Sequence, residues 1–179
     1  MIKDVMLVPK RLMAISRMTD RPWYNWFLER IGEPRIVLDM CGGYGLWYYG
    51  ALLNGAKIQS YYSVDNDIHS LKQGKHLSCF FKPYAKNAMF VNHDIRAGLP
   101  SWLHEIVFDQ VWMNSWWLPN RHQFMLDEAY RILKDDGILF LMFPCWMHNK
   151  IKLPKFTLVD CDNYKGFDDT EFIMYQLKK

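Results

Sequence analysis

Short apolar runs, each closed by polar residues or glycine, recur along the chain. The first occupies residues 36–38 (Ile-Val-Leu) and stops abruptly at Asp39 and a glycine cluster. A continuous run of aliphatic and β-branched residues is typical of a strand that is buried on both faces of a sheet. Six later stretches are also predicted as strands: residues 57–65, 89–94, 107–114, 138–143, 156–160 and 171–177.

Apolar residues at helical spacing fill the segments between several of these runs. Residues 46–53 predict a helix after the first strand, and residues 67–81 and 120–133 predict two more, each opening on a residue that can cap a helix. Strands that alternate with helices indicate an α/β fold, with a mostly parallel, doubly wound sheet and helices on both faces. In such a fold, ligands bind beyond the carboxyl ends of the strands.

The loop after the first strand narrows the choice of ligand. A dinucleotide fingerprint would need glycine at 41, 43 and 46, and only Gly43 is present; a phosphate-binding P-loop would need Gly-Lys-Ser/Thr, which is absent. Residues 39–45 (Asp-Met-Cys-Gly-Gly-Tyr-Gly) instead resemble motif I of the class I S-adenosylmethionine-dependent methyltransferases. That motif reads D/E-x-G-x-G-x-G, and Cys41 stands where its first glycine is expected.

Acidic residues also close the second and third predicted strands. Asp65 ends the second, and a carboxylate there can accept hydrogen bonds from both hydroxyls of a ribose, which predicts a nucleoside ligand. The resemblance implies that Asp94, followed by Ile95, reads the adenine of S-adenosylmethionine. The full set predicted to bind this cofactor is Asp39, Cys41, Gly42, Gly43, Gly45, Asp65, Asn66, Asp94, Ile95 and Asn114.

Residues 114–117 follow the fourth predicted strand and are similar to motif IV of the family. In the amino-methylating nucleic-acid enzymes this tip reads N/D/S-P-P-Y/F/W; Asn114 and Trp117 match, whereas Ser115 and Trp116 replace the prolines. The resemblance implies that Asn114 lies nearest the transferred methyl group and is the catalytic residue. An ordinary turn with aromatic packing is the alternative.

The C-terminal half extends the resemblance over the whole domain, about residues 20–179. Residues 133–137 (Leu-Lys-Asp-Asp-Gly) resemble the family's L-K-P-G-G turn, with Gly137 predicted to keep the turn. The two last predicted strands correspond to the pair that completes the family's seven-stranded sheet, in which the last strand is inserted antiparallel. The methyltransferase domain is therefore predicted to span residues 34–179.

Residues 1–33 are predicted to be helical. Asp20 can cap a helix that has Pro22 in its first turn, apolar positions at helical spacing, and Gly32 at its end. The resemblance makes this segment a candidate lid over the cofactor, and a plain packing helix is the alternative.

Composition sets bounds on the function. The chain has 179 residues, of which 23% are charged and 50% hydrophobic, and this composition indicates one soluble domain. The apolar run at the start of the sequence is too interrupted for a signal peptide, so cytoplasmic location is expected. The longest apolar stretch, residues 138–147, is about half of a membrane span. The four cysteines are far apart, which predicts reduced thiols and no metal site. Lysines at 72, 75, 82 and 86 form either a basic patch or a solvated helix face.

Three functions remain open. The first is methyl transfer to a small molecule, favoured because the net charge of +3 is modest and no recognition domain is evident. The second is methylation of nucleic acid or protein, supported by residues 114–117 and the lysines. The third is a cofactor-binding interaction module that has lost catalysis, suggested by Cys41 and the altered motif IV.

Overall fold

The computed structural model describes residues 12–81, 87–114, 122–150, 152–153, 155–165 and 170–179, without the side chains of residues 149 and 150. The centre of the fold is a seven-stranded sheet in the order β3-β2-β1-β4-β5-β7-β6. The strands are β1 (Ile36–Met40), β2 (Ser60–Asp65), β3 (Ala88–Asn92), β4 (Phe108–Asn114), β5 (Leu133–Pro144), β6 (Thr157–Lys165) and β7 (Glu171–Lys178).

Helices cover both faces of this sheet. The α-helices are α1 (Pro22–Ile31), α2 (Leu46–Leu53), α3 (Ile68–Phe80) and α4 (His122–Ile132), and residues 12–19 are also helical. Short 3₁₀ helices occupy Ile95–Ala97, Ser101–Glu105 and Cys145–Lys150. No helix of the described residues is long and apolar enough to cross a membrane.

The pairing of the strands confirms the predicted fold class. β1 is parallel to both β2 and β4, β3 is parallel to β2, and β5 is parallel to β4. β7 lies between β5 and β6 and is antiparallel to both. The chain leaves β1 for β2 on one side and returns to β4 on the other, so a crevice is expected at the carboxyl ends of β1 and β4.

One face of the sheet carries an aromatic core that includes the N-terminal helices. Phe27 of α1 packs edge-on against Trp112 of β4 and Phe140 of β5, with ring centroids 5.0 and 5.1 Å apart. The hydroxyl of Tyr24 donates to the carbonyl of Trp47 at 2.6 Å. Residues of this N-terminal helical segment therefore pack as part of the domain core.

The N-terminal start of α1 differs from the prediction. The residue at the N-cap is Arg21, without a side-chain capping bond, so Asp20 is not the cap, although Pro22 does begin the helix. Gly32 ends it with a positive φ of 61°. Residues 1–11, the remainder of the suggested lid, lie outside the described part of the chain.

The start of β5 also differs from the predicted turn. The helix stops at Ile132 and the strand begins at once, with a shift of register between the pairs Phe108–Leu133 and Gln110–Ile138. The residue with positive φ is Asp136, at 67°, and not Gly137. Gly137 is needed for another reason, since a Cβ there would lie 2.8 Å from the carbonyl oxygen of Lys134.

Candidate functional site

The loop between β1 and α2 has an alternating backbone. Cys41, Gly43 and Gly45 have φ values of 64°, 52° and 79°, and the residues between them are not in this region. The two-residue spacing of the sequence motif is therefore the spacing of positions with left-handed backbone, where glycine has no steric cost. Such alternation turns successive N–H groups to one side, as in the concave backbone nests that bind anionic groups, and here the N–H of Gly43 donates to the protein's own carboxylate, Asp65. Cys41 adopts the same conformation at a cost that glycine would not have.

Two glycines of the loop, Gly45 and Gly42, are also in close contact with their surroundings. Gly45 precedes α2 as its N-cap, and a Cβ there would lie 3.3 Å from the hydroxyl of Tyr61. A Cβ on Gly42 would lie 2.6 Å from both Cγ of Asp39 and Oγ of Ser63. Gly42 is thus required by close contact with the strand ends below it, whatever ligand the loop binds.

Asp39 is a buried carboxyl, and its side chain is 3% exposed. The hydroxyl of Tyr61 donates to its Oδ2 at 2.7 Å. Burial raises the pKa of Asp39 to about 7; the Tyr61 hydrogen bond opposes this shift and the nearby charge of Asp65 adds to it. Burial likewise raises the pKa of the Cys41 thiol to about 12, so this thiol stays neutral.

Asp65 joins the loop to the end of β2. Its Oδ2 accepts from the backbone N–H of Gly43 at 2.9 Å, and its Oδ1 accepts from the N–H of Asp67 at 2.8 Å. The hydroxyl of Ser63 donates to the carbonyl of Gly43 at 3.2 Å. Each carboxylate oxygen retains a second lone pair, so the group can still accept from a ligand. Asn66 is exposed beside it.

Asp94 lies two residues beyond the end of β3 and is held by Arg96. The guanidinium makes three contacts of 2.7 to 3.0 Å with its two oxygens, and the N–H of Arg96 donates to Oδ1 at 3.0 Å. These bonds lower the pKa of Asp94 to about 2. Ile95 is buried in the core on the second face of the sheet, and Nε2 of His93 contacts the carbonyl of Gly98 at 2.9 Å, a structural role.

Asn114 ends β4 on the other side of β1. Its side-chain Oδ1 is buried and has no hydrogen-bond partner among the described residues. Buried acceptors in folded proteins are nearly always hydrogen-bonded, so this oxygen is a candidate to accept from a ligand. Residues 115–121 lie outside the described part of the chain, so the motif IV prediction for Ser115, Trp116 and Trp117 cannot be compared.

Sequence reasoning missed three neighbours of these groups: Tyr61, Ser63 and Arg96. The register of β1 and β2 places Asp39 opposite Ser63, and Tyr61, Ser63 and Asp65 alternate along β2. Period-two alternation could have shown that these side chains share the face of Asp39. Arg96 gave no sequence signal beyond its position two residues after Asp94.

The site therefore combines a left-handed loop, two carboxyl groups beside it, and an unpartnered amide oxygen on the adjacent strand. The carboxylate of Asp65 disfavours an anion near the loop and favours a cationic ligand with hydroxyl donors. No group of three or more histidine, cysteine or acidic side chains in the described residues could hold a metal ion. Four free cysteines agree with the expected reduced thiols.

Comparison with known proteins identifies the fold. No protein-family model matches the chain, and no curated protein matches it by sequence. Solved structures do match. A Streptococcus mutans protein provisionally named a SAM-dependent methyltransferase matches with TM-score 0.68 and 13% identity, and the match covers 89% of this chain and 48% of that one. A provisionally named RNA methyltransferase of Pyrococcus horikoshii matches with TM-score 0.61 and 19% identity over 88% of this chain and 80% of its own. The ribosomal protein L11 methylase of Lactobacillus delbrueckii subsp. bulgaricus matches with TM-score 0.62 and 17% identity, covering 87% and 77%.

These similarities are structural and distant. The chain has the class I methyltransferase fold, with the antiparallel β7 that the resemblance implied. It spans about half the length of the Streptococcus mutans protein.

Proposed function

We propose that this protein is an S-adenosylmethionine-dependent methyltransferase. The observation that carries the proposal is the contact between Gly43 and Asp65, which brings the loop after β1 against the carboxylate at the end of β2. The unpartnered oxygen of Asn114 lies across β1 from this contact. The donor set fits the cofactor, since acidic groups suit its sulfonium and ammonium and a carboxylate with free lone pairs suits its ribose.

The proposed roles follow from these positions. Gly43 and Gly45 allow the backbone to approach the methionine part, Asp65 accepts from the ribose hydroxyls, and Asn114 faces the reacting methyl. The cofactor supplies a methyl group bound to a sulfonium; when the acceptor takes the methyl group by in-line attack, the sulfonium becomes a neutral thioether. The protein therefore has to hold donor and acceptor in line, and such positioning can supply roughly 7–11 kcal/mol of the barrier. Asn114 Oδ1 would accept a hydrogen bond from an N–H or O–H of the methyl acceptor and so orient the lone pair of that nitrogen or oxygen toward the methyl group.

In this proposal Asp94 binds the adenine of the cofactor, and Arg96 affects that role because it already binds Asp94. Arg96 already occupies both carboxylate oxygens, so an adenine amino group would have to share Asp94 with it or displace it. Ile95 contributes through its backbone, because its side chain is committed to the core. Cys41, Gly42, Asn66 and Asp39 support the loop and the strand ends around the cofactor.

The acceptor is a separate question. The expectation of a small molecule has no support from the comparisons, in which one neighbour carries the name of an RNA methyltransferase and another that of a ribosomal protein methylase. Lys72 and Lys75 lie on the exposed side of α3, as a solvated helix face would place them. An inactive cofactor-binding module is the second candidate, favoured by Cys41 in the place of a motif glycine. Transfer of a radiolabelled methyl group to any acceptor would exclude it.

Thermal melting with four ligands tests the proposal. The purified protein is heated with S-adenosylmethionine, S-adenosylhomocysteine, NAD or ATP, each in excess. A ligand at 100 times its Kd stabilises by about 2.7 kcal/mol, which for a domain of this size raises Tm by roughly 5–10 °C. We expect this shift with the first two ligands alone. A shift with NAD instead, or with none of the four, would overturn the proposal.

A further inference from the structure

A second polar cleft lies at the same edge of the sheet. It has a volume of about 510 Å³, within the range of ligand sites, and opens between the 3₁₀ helix after β5 and the ends of β6 and β7. Its lining consists of Cys145, His148, Asn163, Tyr164, Lys165, Glu171 and Ile173. Nothing in the methyltransferase proposal uses these residues.

The sheet places this cleft beside the proposed transfer site. Asn114 pairs with Met142 of β5, and Cys145 follows three residues later, a distance of roughly 10 Å along the strand. The cleft then extends over β7 and β6, where Asn163 pairs with Ile173. A ligand whose reactive atom lies at Asn114 could therefore continue across the end of β5 into the cleft.

Lys165 and Glu171 bring a cation and a carboxylate to the cleft. They are cross-strand partners at the end of the β6–β7 pair, and both side chains are exposed. Neither forms an ion pair with any side chain in the described part of the chain, although their positions face each other. A cation and a carboxylate in one cleft suit a ligand that carries both an anionic group and a hydrogen-bond donor.

His148 is held in position by a hydrogen bond. Its Nδ1 shares this bond with the hydroxyl of Tyr175, and the planes of the two rings are nearly parallel, with centroids 6.1 Å apart. Tyr175 is itself stacked on Phe143, with centroids 5.3 Å apart and an angle of 12°. The imidazole is thus a fixed planar group at the wall of the cleft.

We propose that this cleft binds a nucleotide unit of the methyl acceptor. Each lining group has a matching partner in a nucleotide: Lys165 for phosphate, Glu171 and Asn163 for the amino and ring-nitrogen edges of a base, and the ring of His148 for stacking. The carboxylate of Asp65 beside the loop repels phosphate, so the anionic part of the acceptor is placed at the cleft end of the site. This inference rests on the methyltransferase proposal and names its acceptor class.

Binding of two kinds of nucleotide probe, monophosphates and an RNA, tests the inference. The four nucleoside monophosphates and a fluorescein-labelled mixed 12-nucleotide RNA are titrated by calorimetry and anisotropy into the protein saturated with S-adenosylhomocysteine. Lys165→Ala should weaken binding 5- to 10-fold. The matched control, Lys57→Ala, changes an exposed lysine before β2, at the opposite edge of the sheet, and should change affinity less than twofold. Asn163→Ala should reduce discrimination among the four bases.

The outcomes separate the possible acceptors. Equal affinity for monophosphates and RNA indicates a free nucleotide, and RNA affinity at least tenfold tighter indicates a polynucleotide. The inference fails if the wild-type protein binds neither kind of probe, or if both lysine variants lose the same affinity. Titration of S-adenosylhomocysteine alone is the separate test of the methyltransferase proposal, so a protein that binds this ligand but no nucleotide overturns only the acceptor class.

Discussion

Cys41 is a strained position in the loop after β1, and glycine should be more stable there than alanine. Cys41 has a φ of 64°, and left-handed backbone costs a non-glycine residue roughly 1–2 kcal/mol. Glycine removes that cost but loses roughly 0.5–1 kcal/mol in additional chain entropy and gives up the partly buried side chain, which packs against the core of the second face. The comparison that isolates strain is therefore with Cys41→Ala, which keeps Cβ and loses the sulfur.

Urea unfolding of both variants gives the measurement. We expect Cys41→Gly to be about 1 kcal/mol more stable than Cys41→Ala, because left-handed positions favour glycine over alanine by about that amount. This difference corresponds to roughly 2–4 °C in Tm for a domain of this size. If the alanine variant is equally stable or more stable, residue 41 is not strained, and the explanation of the motif spacing by left-handed positions is wrong.

Three further predictions follow from the same site. Burial raises the pKa of Asp39 to about 7, so the folded state binds the proton more tightly than the unfolded state, and the free energy of unfolding falls as pH rises from about 4 to 7. In urea unfolding at a series of pH values, Asp39→Asn should remove this fall and make the protein more stable than wild type at pH 8. Gly42→Ala should cost about 1–3 kcal/mol in urea unfolding, because its Cβ would lie 2.6 Å from Asp39 and Ser63, and an unchanged midpoint would contradict this packing. Asn114→Ala should lower kcat about tenfold in a radiolabel assay and leave the Kd for S-adenosylhomocysteine within threefold of wild type. An unchanged kcat would mean that Asn114 is an ordinary turn residue without a role in the transfer.

The strands could be located along the chain because each carries its own local signal, whereas the antiparallel direction of the last strand was implied by the family resemblance. The run at residues 36–38 and the acid at its end marked β1, and Asp65 marked the end of β2. Asp67 was predicted to open α3, and its carboxylate does accept from the N–H groups of His69 and Ser70. Such features depend on residues close together in sequence.

The details of the site depended on contacts between strands. Asp39 was predicted as a ligand-facing acid, but its carboxyl is enclosed by Tyr61 from the neighbouring strand, which only the β1–β2 register reveals. The requirement for Gly42 likewise comes from Ser63 and Asp39 beneath it. The cleft beside β6 combines the ends of three strands, and no local pattern marked Lys165 or Glu171 as partners.

Calorimetric titration of S-adenosylhomocysteine into wild-type protein and two variants tests the central claim most directly. Asp65→Ala removes an acceptor for two ribose hydroxyls, and hydrogen bonds to a charged group contribute roughly 1.5–3 kcal/mol each. We therefore predict an affinity at least 100-fold weaker. Asp67→Ala, an equal charge change two residues away that removes only the cap of α3, should stay within threefold of wild type. Tight binding that Asp65→Ala leaves unchanged, or no binding by the wild-type protein, would contradict the account.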